Sequence, residues 1–243
     1  MATTYVNSNN LPANSNLSGT YDFAPSLGEI TLYAYNLCGV RPTALVQEHM
    51  QSARMAANMM LGRWSSQGVN LWTVDQQCIN LVQGCSTYQV PTNTIVMLDA
   101  YITQNEGTAA INRLILPISR TEYASYPNPS QQGFPTTFWF DRLLSPTVTL
   151  WPVPDGTQNQ FVYYRVRQIQ DSNFTDGQQI EIPYYFLEAF AYGLAQRLAM
   201  IWAPEKVALI KPLADESYSI AAAQNIETAQ QYISPMISSY FRP

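Results

Sequence analysis

The stretch from Arg113 to Asp155, RLILPISRTEYASYPNPSQQGFPTTFWFDRLLSPTVTLWPVPD, constrains the fold more than any other part of the chain. It holds three strand-like runs, Ile111–Leu116 (which begins just before it), Thr136–Asp141 and Thr147–Trp151, joined by segments dense in Pro, Ser, Asn and Gly. Side chains of a strand alternate between two faces, so Val148 and Leu150 fall on one face and Thr147, Thr149 and Trp151 on the other. That pattern predicts half-buried antiparallel sheet. Pro152 and Pro154 end the last run, because proline has no N–H to give to a ladder, and Asp155-Gly156 supplies a turn.

Further runs extend the sheet on both sides. Trp72–Asp75, Ile79–Val82 and Thr87–Val90 are short candidates, Ile95–Ile102 is a longer one, and FVYYRV at Phe161–Val166 completes the set. In Ile95–Ile102, alternation puts Ile95, Met97 and Tyr101 on one face and Val96, Leu98 and Ile102 on the other, with Asp99 as an edge or interface carboxylate. Ser119–Ser125 predicts one helical turn capped by Ser119, with Glu122 at the third helical position. The loop Tyr126–Pro135 contains Pro127, Pro129, Gly133 and Pro135; fixed proline φ angles predict a long but rigid contact surface. Phe138, Trp139 and Phe140 are consecutive, so at least one ring must point away from the sheet's own core and is available to a partner or to a stacked sugar.

Helical periodicity surrounds this β-rich region. Ser26 predicts the cap of a helix Leu27–Leu37, with Glu29 in its first turn and Cys38-Gly39 at its end. From Thr43 to about Ser66, Val46, Met50, Ala53, Ala57, Met60 and Trp64 step by four and three, a seam that calls for a partner helix. Leu187, Phe190, Ala191, Leu194, Leu198 and Ile201 supply that partner after Pro183. A further helical segment begins at Glu205, with Pro212 expected to kink or divide it and Ala214, Ser217, Ala221 and Gln224 as a stripe for close approach. The predicted fold is α+β: a helical bundle from N- and C-terminal helices with an inserted antiparallel β-rich domain and an extended C-terminal tail. The expected units are an extended arm at 1–25, helices at 26–70, the β-rich insert at 71–170, helices again at 171–230, and a docking tail at 231–243. The arm is either a frayed terminus or a segment that orders on a neighbouring subunit.

Charged residues make up 12% of the chain, about half the usual share, so the surface must rely on Gln, Asn, Ser, Thr and Tyr or be covered by other subunits. The net charge of −5 and the absence of a Lys/Arg cluster argue against gripping DNA. Cys38, Cys78 and Cys85 show no metal-ligand spacing and are expected to be buried free thiols. No cofactor or metal is implied. His49, the only histidine, lacks a matched set of partners and is read as structural or surface. Neither a leader nor a membrane span is predicted.

No phosphate-cradling glycine loop, nucleophile elbow or H-E-x-x-H pattern is present. Glu181 and Glu188 are candidates for a carboxylate pair only by elimination, and the chain is not expected to be an enzyme.

Four passages together carry a resemblance: the Leu116–Asp155 run (LP-I-S-R-x-E-Y…G-x-P-x-x-F-x-x-D-R…L-W-P-x-P-D), MLGRWSSQGVNLWTVDQQ at 60–77, YYFLEAFAYGLAQRLA at 184–199 and LADESYSIAAAQNIETAQQYISPMISSYF at 213–241. In order and spacing the chain resembles the tail accessory factors of short-tailed bacteriophages, head-to-tail adaptor proteins of the packaged-DNA stabilisation type. That resemblance implies a homo-oligomeric, usually dodecameric, ring in the virion at the head–tail junction, made in the host cytoplasm. It would bind beneath the portal protein, extend the DNA channel without specific DNA binding, and dock a tail nozzle or needle protein. It assigns portal docking to Tyr232, Ile233, Pro235, Ile237, Tyr240 and Phe241. Subunit or tail contacts are expected of Phe138, Trp139, Phe140, Pro127 and Pro129. The competing functional reading is a carbohydrate- or cell-wall-binding β-domain that stacks sugars on Trp139, Trp151 or Tyr163; a cell-wall hydrolase is third.

Overall fold

The computed structural model describes residues 23–68, 70–106, 109–156, 160–174 and 177–226. The predicted arm at 1–22 and the predicted tail beyond 226 lie outside the described residues. Among the described residues, five α-helices and nine strands form in the order α1 (Leu27–Cys38), α2 (Gln47–Ser66), β1 (Val74–Asn80), β2 (Thr87–Gln89), β3 (Thr94–Glu106), β4 (Ala109–Pro117), α3 (Arg120–Ala124), β5 (Gln132–Gly133), β6 (Thr137–Asp141), β7 (Thr147–Trp151), β8 (Val153–Pro154), β9 (Gln160–Arg167), α4 (Leu187–Trp202) and α5 (Val207–Gln224). The protein is thus mixed α+β among its described residues.

Helix α1 begins where its cap chemistry says it should. The Ser26 hydroxyl accepts from the Glu29 N–H, and the Glu29 carboxylate accepts from the Ser26 N–H at 2.7 Å, so two end donors are satisfied reciprocally. Gly39 ends the helix in the left-handed region at φ 79°, which a β-carbon would disfavour. Helix α2 starts at Gln47 rather than Thr43, because Pro42–Ala44 form a separate 3-10 turn and Leu45 and Val46 are extended. At 1.5 Å per residue its 20 residues span about 30 Å. Of the predicted seam, Ala53, Ala57, Met60 and Trp64 are buried, while Val46, ahead of the helix, is exposed.

Around α4 pack α1, α2 and α5. Their shared core is rich in small residues, among them Ala34, Ala53, Ala57, Ala189, Ala195 and Ala199, which lets helix axes approach closely. Gly193 takes this furthest: a β-carbon there would lie 2.7 Å from the Met60 sulfur. Aromatic rings seal the end of this core, with Trp64 and Trp72 both against Phe186. That contact also explains why Leu71–Thr73 is a 3-10 turn and β1 starts only at Val74, since Trp72 belongs to the helical core. Helix α5 runs through Pro212 undivided. The carbonyl that this proline leaves without a donor belongs to Ala208 on the exposed side, where water can serve it. Ile201, expected in the buried stripe of α4, is 56% exposed near the helix end.

The larger sheet has the order β1-β9-β3-β4-β6-β7-β2 and is antiparallel except for a short parallel pairing of β4 with β6. Its inner face closes over Ile102, Ile115, Phe138, Val148, Leu150, Phe161 and Tyr163. Of the alternation predicted for β7, Val148 and Leu150 are fully buried as expected, but Thr149 of the other face is buried as well, so the strand is covered on both sides at its centre. In β3 the expected face assignment fails, and a bulge is the reason. Between Met97 and Ala100 the register against β9 shifts, so Met97 and Ile102 both reach the core although their numbers differ in parity. Asp99 sits in this bulge, exposed. The two candidate runs Trp72–Asp75 and Ile79–Val82 are replaced by the one strand β1.

Candidate functional site

The prolines of the loop between α3 and β6 are not its only stiffening. Tyr126 stacks on Trp151 with ring centroids 4.0 Å apart, and the Trp151 indole N–H donates to the Asn128 carbonyl at 3.1 Å. Further along, Val153 N–H donates to the Gln131 carbonyl, and β5 pairs with β8. Pro127 and Pro129 are carried on this tethered loop, both exposed. Behind it, α3 is capped by Ser119 as predicted, and Arg120 bonds Asp141 at 3.0 Å while its guanidinium lies over the Trp139 ring. Tyr123 covers the same indole at 5.6 Å.

This arrangement sorts the three consecutive aromatics. Phe138 is 1% exposed and belongs to the sheet core, with Phe140 packed against the same core. Trp139 points to the other face, where it meets α3. A free ring for stacking sugars is therefore not what the predicted platforms provide: Trp139 and Trp151 already carry Tyr123 and Tyr126, and Tyr163 is 1% exposed. Apolar side chains that are open on this half include Leu114 and Leu116 of β4, Val82 after β1 and the turn at Leu143–Leu144.

Between sheet and helices lies a polar junction that sequence patterning did not reveal. Arg165 is 4% exposed, and its guanidinium makes two bonds to Asp75, at 2.7 and 3.1 Å, with others to Asn93 and Thr94. A buried cation is tolerable only with this degree of pairing. Two residues on, Arg167 makes a two-pronged pair with Glu181, whose carboxylate also accepts from the Gln170 N–H at 3.1 Å. Burial alone would raise the Asp75 carboxyl, but the Arg165 bonds and charge hold it below its usual range. Glu181 is lowered chiefly by its bonds from Arg167. A carboxyl so held is a poor proton donor, so one member of the only carboxylate pair suggested by the sequence is committed to structure. Asn58 of α2 adds a clasp, accepting from Ser172 N–H at 2.8 Å and donating to its carbonyl at 3.0 Å. The signal available in the sequence was a lone arginine at an inward position of a strand.

His49 is placed as a structural residue: it stacks on Trp202 at 4.0 Å, its Nδ1 accepts from the Val46 N–H, and its carbonyl accepts from the Tyr35 hydroxyl. Cys38 is buried, and burial pushes its thiol up to about 11. Cys78 and Cys85 depart from expectation, Cys78 being exposed on the edge strand β1 and Cys85 half-buried. Among the described residues no group of His, Cys, Asp and Glu is placed to hold a metal ion, and no helix is long and apolar enough to cross a membrane. The predicted docking residues Tyr232, Ile233, Pro235, Ile237, Tyr240 and Phe241 lie outside the described residues.

Comparison with known proteins gives one positive finding. The model of the family described as SU10 adaptor protein matches residues 37–236, spanning the helices from the end of α1 onward, the whole sheet and part of the predicted tail. No curated protein matches the chain.

Proposed function

The chain belongs to the SU10 adaptor protein family, a phage head–tail adaptor family, and from that premise we propose that it forms the adaptor ring between portal and tail. Its identity as a phage adaptor structural protein accords with the resemblance read from the sequence. In the proposed assembly, copies of the chain bind beneath the portal, lengthen the DNA channel and offer the tail a docking surface. The family match across most of the chain is the observation that carries this reading. Supporting it are the low charge of the chain and a rigid, tethered proline loop that offers Pro127 and Pro129 as fixed contacts. Channel walls made by an acidic chain repel the DNA backbone, so the polymer passes without sticking. Residues Tyr232, Ile233, Pro235, Ile237, Tyr240 and Phe241 are the proposed portal anchor, since apolar side chains gain most by burial in a partner.

Light scattering on the full chain, alone and mixed with its cognate portal protein, tests the proposal when repeated on a chain ending at Gln230. A high-mass complex with the full chain that is lost on truncation supports both the adaptor role and the anchor. Failure of the full chain to bind the portal rejects the adaptor role; binding that survives truncation rejects the anchor alone.

A further inference from the structure

Helix α4 carries two unlike surfaces on opposite sides. Glu188 and Arg197 are nine residues apart (197 − 188 = 9), two and a half turns at 3.6 residues per turn, so they project from opposite faces. On the Glu188 side, α1 and the start of α4 form a groove of about 540 Å³. It is lined by Phe23, Glu29, Tyr33, Tyr184, Glu188 and Tyr192 among others, and none of its lining residues is basic. Phe23 is 68% and Tyr184 72% exposed, an unusual outlay of aromatic surface. Glu188 makes no ion pair among the described residues, and Glu29 is kept ionised by the Ser26 bonds that lower its carboxyl.

On the Arg197 side, α2 and α4 form a second groove of about 470 Å³, lined by Met55, Met59, Arg197, Met200 and Ile201 among others, with no acidic residue. All four apolar side chains just named are more than half exposed. Met55, Met59 and Arg63 follow at intervals of four and so form one stripe of α2. Arg63 and Arg197 line one hollow together with Asp215 of α5; burial lowers Arg197, and the neighbouring Arg63 charge lowers it further. Neither guanidinium makes an ion pair or hydrogen bond with Asp215 or with any other of the described residues. Two neighbouring guanidiniums beside an adaptable methionine surface are a receptor for something apolar that carries carboxylates.

We propose that these two surfaces bind each other between copies: the aromatic, carboxylate-bearing groove of α1 and α4 receives the methionine and arginine stripe of α2 and α4 from the next copy. This inference rests on the ring reading above. Surfaces on opposite sides of one rigid layer make a head-to-tail contact, and such a contact, repeated by a constant rotation, closes into a ring. The occupant of each groove is accordingly a second copy of this chain, chosen by charge complementarity and by the opposed placement of Glu188 and Arg197.

A charge swap on the full chain tests it, with assembled mass read in the presence of the portal protein. Glu188→Arg and Arg197→Glu, each alone, set like charges against one another and are expected to lower the assembled fraction at least about tenfold. Arg63→Glu, at an exposed position, is expected to do the same in lesser degree and guards against misfolding at Arg197. The double variant Glu188→Arg/Arg197→Glu restores an opposite-charge contact with reversed sense and is expected to recover most of the assembly. Single variants that assemble like the wild type overturn the pairing. So does a double variant that stays as defective as the singles while melting like the wild type, because the two grooves then serve different occupants, such as the chain's own first 22 residues or the portal. If the wild type forms no multi-copy complex, the ring reading itself fails, an outcome visible before any variant is made.

Discussion

The helical core and the sheet core solve the same problem with different residues. Alanines recur where α4 meets α1 and α2, and Gly193 lets Met60 come close, although Tyr35, Trp64, Phe186 and Phe190 share the same core. Phe138, Phe161 and Tyr163 fill the sheet, with Phe161 stacked on Tyr163 at 5.1 Å. The sheet half also covers its outward tryptophans with its own tyrosines, whereas the helical half leaves a groove on each side of α4. A close-packed layer with open flanks suits contact with further copies, while the sheet half offers a tethered loop and scattered exposed leucines rather than grooves. The difference lies in how the exposed apolar side chains are arranged: the helical half gathers them into two grooves, and the sheet half scatters them over β4 and the Leu143–Leu144 turn.

The strongest way to break this contrast is to empty the sheet. Phe161→Ala is expected to cost about 3–5 kcal/mol, as a fully buried ring is lost from a core with few small residues to collapse inward. Urea unfolding measures the cost. Hydrogen exchange would then show whether α4 amides lose protection with those of β9, as they must if the polar junction couples the halves.

The junction is the next target. Asp75→Ala strands the buried Arg165 guanidinium and is expected to cost about 2–3 kcal/mol, below the ~3–5 of a fully buried pair because the Asp75 side chain is 31% exposed. Asp75→Asn, which keeps one acceptor, should cost less; equal losses would show that charge is not what matters. On the helical side, Gly193→Ala pushes a methyl towards the Met60 sulfur and is expected to cost about 1–2 kcal/mol by thermal melting, the flexible thioether absorbing part of the clash. A neutral or stabilising result would refute the close-approach account of α2 and α4.

Acid dependence follows from the same carboxylates. Asp75 and Glu181 both titrate lower in the folded chain than the ~3.9 and ~4.3 of unfolded carboxyls. Each therefore contributes stability that is fully present above the unfolded value and is lost as pH falls through the folded one. Wild type is expected to lose stability below about pH 4.5. Glu181→Gln, which costs about 1 kcal/mol near neutrality, should flatten that slope; an unchanged slope would remove Glu181 from the account. The smallest expected effect is at the loop, where Tyr126→Ala removes the ring stacked on Trp151 at about 0.5–1.5 kcal/mol while raising proteolytic cleavage near Pro127.

Much of this was legible in the chain. The Ser26/Glu29 cap, the Gly39 stop, the α2 seam from Ala53 to Trp64 and the burial of Val148 and Leu150 each rest on local chemistry, and each appears in the structure. Where local pattern was overruled, a distant contact did it. Trp72 was drawn into the helical core by Phe186, and the bulge at Met97–Ala100 reset the faces of β3. Pro212 did not divide α5 because the bond it forfeits falls on the solvent side. The family was legible in order and spacing. The Arg165 and Arg167 pairs were not, since Asp75 and Glu181 lie 90 and 14 residues away in sequence. Nor was the stripe Met55, Met59, Arg63 singled out, although its spacing of four sits beside the recognised seam.

Native mass spectrometry of the full chain mixed with its portal protein addresses the central claim most directly. A closed adaptor ring predicts one discrete complex with a fixed number of adaptor copies, reached without a ladder of partial additions at saturation. An unbounded series of masses would mean that the head-to-tail contact does not close, and portal complexes carrying no adaptor copies would contradict the assignment outright.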